Sequence, residues 1–211
     1  MKQKHNRIIR NLFLNGSLTP GAQTLRVIVV LLLPTLLFFG HVRGALGGDY
    51  HGQVVDAETG KPIEGAVVVV EWHKKPRIAM GGINYFHSAT ETLTDPEGKF
   101  SLDSSPGIDW NPFTYVGHAP FILAFYPGYR PFTAAYPEDI GTTSDLNKIA
   151  EAFERGVVVK LRKQTLESEQ KRYTDTSGFG PIMAPYTVIP NFHRLINIQR
   201  KIVGMRELKY P

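Results

Sequence analysis

The sequence predicts a mainly β fold: an antiparallel sandwich of about seven short strands, with a short inserted helix and a helical C-terminal tail. Three observations point there. Glycine (20) and proline (15) are abundant in the 211 residues, which favours many turns over long helices. Between residues 50 and 162, short apolar or alternating runs recur with Asp-, Gly- and Pro-containing turns between them. A composition of 42% hydrophobic and 20% charged residues supports a packed core.

Tyr50–Val55 reads as the first strand, and Asp56 to Pro62 as the turn that ends it. The second strand runs from Ile63 to Trp72. Its valines at 67–70 suit a strand covered on both faces. Thr90–Thr94 and Lys99–Leu102 alternate around Asp95-Pro96-Glu97-Gly98, a type I turn by its Asp, Pro and Gly positions. Pro120–Tyr126 reads as a buried strand, Arg130–Ala134 as a further one, and Gly156–Arg162 as the last.

The formal charge of +5 belongs to the leader. Residues 1–44 carry six Lys or Arg and no acidic residue, leaving 18 basic against 19 acidic residues in the rest. A nucleic-acid-binding domain keeps its cations on the folded surface, so no nucleic-acid partner is expected. With no cysteine, disulfides, thiolate catalysis, Cys-ligated zinc and an N-terminal lipid-modified cysteine are excluded.

Val27–Phe39 (VIVVLLLPTLLFF) is an apolar run behind a basic stretch, residues 1–26. Thirteen helical residues span about 20 Å, short of a hydrocarbon core of about 30 Å. That length suits a signal peptide, with cleavage after Gly44 or near Ala45-Leu46-Gly47. The long basic region and Arg43 fit either a true start downstream of Met1 or an uncleaved anchor. Residues 27–44 therefore stand as signal peptide or membrane anchor, and the chain is expected in the periplasm or cell envelope.

Several of these residues together resemble a known family. Gly52-Gln53-Val54-Val55-Asp56, Thr59-Gly60-Lys61-Pro62-Ile63-Glu64-Gly65-Ala66-Val67, Thr94-Asp95-Pro96-Glu97-Gly98-Lys99-Phe100 and Tyr126-Pro127-Gly128-Tyr129 look like the carboxypeptidase regulatory-like domain, in that family's order. The resemblance covers about residues 49–163, within a domain set at 45–163. It implies a transthyretin-like (prealbumin-like) sandwich serving as an accessory or binding module of exported proteins, with no catalytic residues. In it, Tyr129 is expected to stack on the sandwich edge and give its hydroxyl to a backbone group.

Two insertions depart from that pattern. Lys74–Ser88 reads as a long loop. Thr142–Arg155 carries Leu146, Ile149, Ala150 and Phe153 at helical spacing, with Thr143, Ser144 or Asp145 as cap and Gly156 as stop. The extension, residues 164–211, holds a polar helical stretch at 166–173 with a Glu167–Lys171 pair, and an extended connector at 174–190. A final helix to Gly204 follows, capped by Asn191, with Phe192, Leu195, Ile196, Ile202 and Val203 on its apolar side. That helix either packs back on the sandwich or docks on a partner or lipid headgroups.

No catalytic, cofactor-binding or metal-binding residue is assigned, and no cofactor is expected. His73, His87 and His118 are the polar positions that could form a metal site if they converged, which keeps a metal-dependent enzyme as the alternative; their spacing matches no metal motif. Related sandwiches include a purine-pathway hydrolase with a C-terminal Tyr-Arg-Gly-Ser, which this chain lacks. They also include intradiol dioxygenases with two Tyr and two His, for which Tyr85, Tyr115, His87 and His118 offer residues but not the spacing. The expected function is binding or scaffolding, to an envelope protein or a glycan, with membrane contact through an uncleaved N-terminus.

Overall fold

The computed structural model describes residues 48–77 and 83–210. The basic region, the apolar run and the candidate cleavage residues 42–47 lie outside the described residues. Among the described residues no helix is long and apolar enough to cross a membrane.

Seven strands form in chain order: β1 (Gly48–Asp56), β2 (Val67–Pro76), β3 (Tyr85–Leu93), β4 (Lys99–Ser104), β5 (Thr114–Val116), β6 (Phe121–Phe125) and β7 (Val157–Leu161). They make a three-stranded sheet in the order β4-β1-β7 and a four-stranded sheet in which β2 pairs with β3 on one side and with β6 and then β5 on the other. The expected all-antiparallel pattern is corrected at one place: β7 lies parallel to β1, with Gly52 opposite Val157. A parallel neighbour needs a crossover. The chain supplies one with helix α1 (Leu146–Glu154), which contributes Ile149, Ala150 and Phe153 to the core between the sheets. Asp145 caps α1 through the Asn147 amide, and Gly156 follows at φ 89°.

The period of two decides what each face buries. On β2, Val68, Val70 and Trp72 turn inward, and on β6 Ile122 and Ala124 do the same. They meet Tyr50, Val54, Phe100, Leu102, Val157, Val159 and Leu161 of the first sheet. Val67, Val69, Phe121, Leu123 and Phe125 turn outward and are equally buried, because the C-terminal extension covers them. Its first helix, α2 (Glu167–Lys171), carries the expected Lys171–Glu167 pair at 2.6 Å. Helix α3 (Pro190–Ile202) packs Phe192, Leu195 and Ile196 onto the sheet. The extension is a third layer, which accounts for the run of four valines.

Three expectations need correction. Lys74–Ser88 is strand at both its ends: β2 continues through Lys74–Pro76 and β3 covers Tyr85–Ser88, with a register shift at Trp72/His73. The shift adds a residue that breaks simple alternation, so the sequence there reads as a loop. Arg130–Ala134 forms no strand; Phe132 makes an isolated bridge to Ala124. Asn191 does not cap α3. Pro190 occupies its first turn, and the carboxylate of Glu91 on β3 accepts the amides of Asn191 (2.6 Å) and Phe192 (2.9 Å). Ile202 stays exposed, outside the packed stripe.

Candidate functional site

The family-like residues cluster at the end of the molecule where β1 stops and β2 begins. Asp56 Oδ1 accepts the amides of Glu58 (2.8 Å) and Thr59 (2.9 Å), closing the Asp56–Gly60 turn. Its Oδ2 accepts the Tyr129 hydroxyl at 2.9 Å. Tyr129 thus bonds a side-chain carboxylate and not a backbone group, and its ring meets Tyr126 edge-on at 5.9 Å. These bonds hold the Asp56 carboxyl down at about 2, the Thr59 amide contributing most and the Tyr129 hydroxyl next. Burial first, then the bond to Asp56, pushes the Tyr129 hydroxyl up to about 12.

The other conspicuous residues of this end are likewise engaged in the fold. The Thr94 hydroxyl donates to the Ile63 carbonyl at 2.7 Å and accepts the Ala66 amide at 2.9 Å. Gly98 stands at φ 72°, with its would-be Cβ 2.5 Å from the Val54 carbonyl, so only glycine closes that turn. An apolar groove of about 640 Å³ runs beside these loops, between Ile63, Tyr126 and Tyr129 on one wall and Leu195, Ile198 and Ile202 of α3 on the other.

The three singled-out histidines do not form a ligand set. Among the described residues no group of three His, Asp or Glu is arranged to hold a metal. His73 Nε2 lies 2.7 Å from Glu71 Oε1 in a buried pair. His118 is exposed in the turn between β5 and β6. His87 lies near Asp109, whose carboxyl is held below its ordinary value chiefly by the Thr114 hydroxyl and the Asn111 amide, with smaller help from Lys74 and His87. Tyr85 and Tyr115 flank β2 on opposite sides, across from Lys74 and Lys75.

Two sites carry no signal that sequence reading used. The first is a cleft of about 350 Å³ lined by Arg130, Arg162, Lys163, Gln164, Arg172 and Tyr173, among others. Arg130 holds Asp139 through both carboxylate oxygens (2.7 and 2.8 Å) and lies 3.9 Å over the Tyr136 ring. Burial pushes the Asp139 carboxyl up against the pull of Arg130. Arg130 thus pairs with Glu138 and Asp139, and Arg162 lies 3.7 Å from Asp139, while Glu169 also lines the cleft.

The second is the end where β1 starts. There the loop after β4 exposes Ile108 (70%), Trp110 (85%) and Phe113 (68%), with Ile83 and Tyr85 exposed nearby in the chain order of β3. The loop is braced. Asp109 Oδ1 accepts the Asn111 amide at 3.1 Å, Asn111 Oδ1 accepts the Phe113 amide at 2.9 Å, and the Thr114 hydroxyl donates to Asp109 Oδ2. The Arg77 amide ties the loop to the end of β2 through the Phe113 carbonyl at 2.8 Å. Three large apolar side chains are thus held into water on a braced loop.

Comparison with family models, with curated proteins and with solved structures finds no match for this chain.

Proposed function

We propose that this chain is a non-catalytic, transthyretin-like β-sandwich module of the cell envelope, exported or held at a membrane by residues 27–39, that works by binding or scaffolding. The observation that carries the reading is a division of labour between the two ends. At one end the Asp56 carboxylate is bonded to Tyr129 and the Thr94 hydroxyl to Ile63, and the Glu71–His73 pair closes further along β2. At the other, Ile108, Trp110 and Phe113 are presented to water on a braced loop. The leader supports the envelope location by its one-signed charge and apolar run.

Fractionation of native cells, with intact mass and N-terminal sequencing of the recovered chain, tests this. The chain is expected in the envelope, with an N-terminus near Ala45 in a soluble fraction or intact in the membrane. Full-length chain in the cytosol would overturn the reading.

A further inference from the structure

We infer that the Ile108–Phe113 loop is a lipid-interface contact, seated in the headgroup region of the membrane that residues 27–39 enter; the inference rests on the membrane-held form of the proposal above. Gly48, where the described chain begins, pairs with Ser104, the last residue of β4. The aromatic loop leaves Ser104 directly. The far end of β2 arrives at the same place, with Lys74, Lys75 and Pro76 beside Val116, Tyr115 and Thr114, and Lys74 across from Tyr85. Gly48, where residues 1–47 join the described chain, and the aromatic loop therefore lie at one end of the sandwich.

Chain length then limits the distance to the bilayer. Residues 40–47 separate the apolar run from Gly48, eight residues that reach at most about 30 Å when fully extended. Gly48, and with it the end of the sandwich that carries it, is held within that reach of the apolar run. The side chains waiting there are Ile, Trp, Phe and Tyr. Trp and Tyr favour the membrane interface because each has an apolar body and a polar tip. Seating such a loop about 5–10 Å into the headgroup boundary covers the apolar side chains that the fold leaves in water.

Charge does not choose this contact. Lys74, Lys75 and Arg77 share the end with Asp49, Asp103 and Asp109, and Glu154 approaches Gly48. The aromatic side chains carry the attraction, so it should persist on zwitterionic lipid and at raised salt, unlike a polybasic patch.

The two tryptophans make the test direct. Trp72 is buried in the core (2% exposed) and bonded to Ser104, whereas Trp110 is free to report. The full chain is reconstituted with phosphatidylethanolamine–phosphatidylglycerol vesicles whose acyl chains are brominated near the headgroup. Flotation is measured with fluorescence, for wild type and Trp110→Phe. The expected result is a floating chain whose Trp110 emission falls about two-fold on brominated lipid and resists aqueous iodide, a response that W110F abolishes. A chain that floats with Trp110 still quenched by iodide and indifferent to bromine overturns the loop contact and leaves the tether standing. A chain that does not float overturns both. Shielding of Trp110 that appears only on adding envelope proteins overturns the lipid assignment in favour of a protein partner.

Discussion

The carboxylate of Glu71 accepts the backbone amide of Met183 at 2.8 Å, joining β2 to a segment 112 residues later in the chain. The Ala184 amide (3.3 Å) and His73 Nε2 (2.7 Å) complete its partners. Glu71 is fully buried, on the face of the second sheet that the extension covers. Removing it takes the acceptor from two backbone donors and a histidine at a part-buried site. Glu71→Ala is expected to cost about 2–4 kcal/mol, read from the denaturant midpoint. Met183 and Ala184 amides should lose hydrogen-exchange protection first.

Glu91 sets the position of α3 by accepting the Asn191 and Phe192 amides at its N-terminus. A carboxylate there satisfies orphan donors and complements the helix dipole. Glu91→Ala is expected to cost about 1–2 kcal/mol, while Asn191→Ala, which removes no cap, should lie within about 0.5 kcal/mol of wild type. Thermal unfolding of the two variants separates them. Equal losses would contradict the assignment.

Phe179 is fully buried, edge-on to Phe125 at 4.8 Å and to Phe192 at 4.9 Å. Phe179→Ala should destabilise the fold by about 3–5 kcal/mol, as removal of a large buried ring does. Chemical denaturation gives the value directly. A loss under about 1 kcal/mol would mean that the extension does not pack as described.

The bond between Tyr129 and Asp56 predicts an acid dependence. The Asp56 carboxyl sits at about 2 in the fold, below its ordinary 3.8. A lowered carboxyl stabilises the fold fully above the unfolded value and loses that contribution as pH falls through the folded one. The melting temperature should therefore drop as pH falls from about 4 towards 2. Tyr129→Phe removes one of the bonds that hold the carboxyl down. It should raise the Asp56 titration midpoint in a carboxyl NMR titration and narrow the acid transition.

Much of the fold was legible because local patterns name their partners. The four valines at 67–70 required cover on both faces, and Ile149, Ala150 and Phe153 marked one helical stripe. What failed depended on residues far away in sequence. Nothing around Glu71 or Glu91 indicates amides about 100 residues later. The Gly- and Pro-rich stretch before α3 reads as a connector, yet it carries Phe179, Ile182 and Ala184 into a core. The parallel seating of β7 depends on the path through α1, which periodicity does not encode. The exposed end had a readable signal: Ile108, Trp110 and Phe113 are bulky apolar residues set among turn formers, a combination that folding alone does not require.

The C-terminal extension is a layer of the fold, packed on the outer face of β2 and β6. Comparing residues 45–211 with residues 45–163, both carrying Trp110→Phe so that Trp72 alone reports, tests it most directly. Loss of the extension bares Val67, Val69, Phe121, Leu123 and Phe125, each worth about 1.5–3 kcal/mol of burial, and leaves Glu71 without its amides. The account predicts cooperative unfolding and blue-shifted Trp72 emission for the longer chain, and neither for the shorter one. A shorter chain that unfolds cooperatively with Trp72 still buried would contradict it.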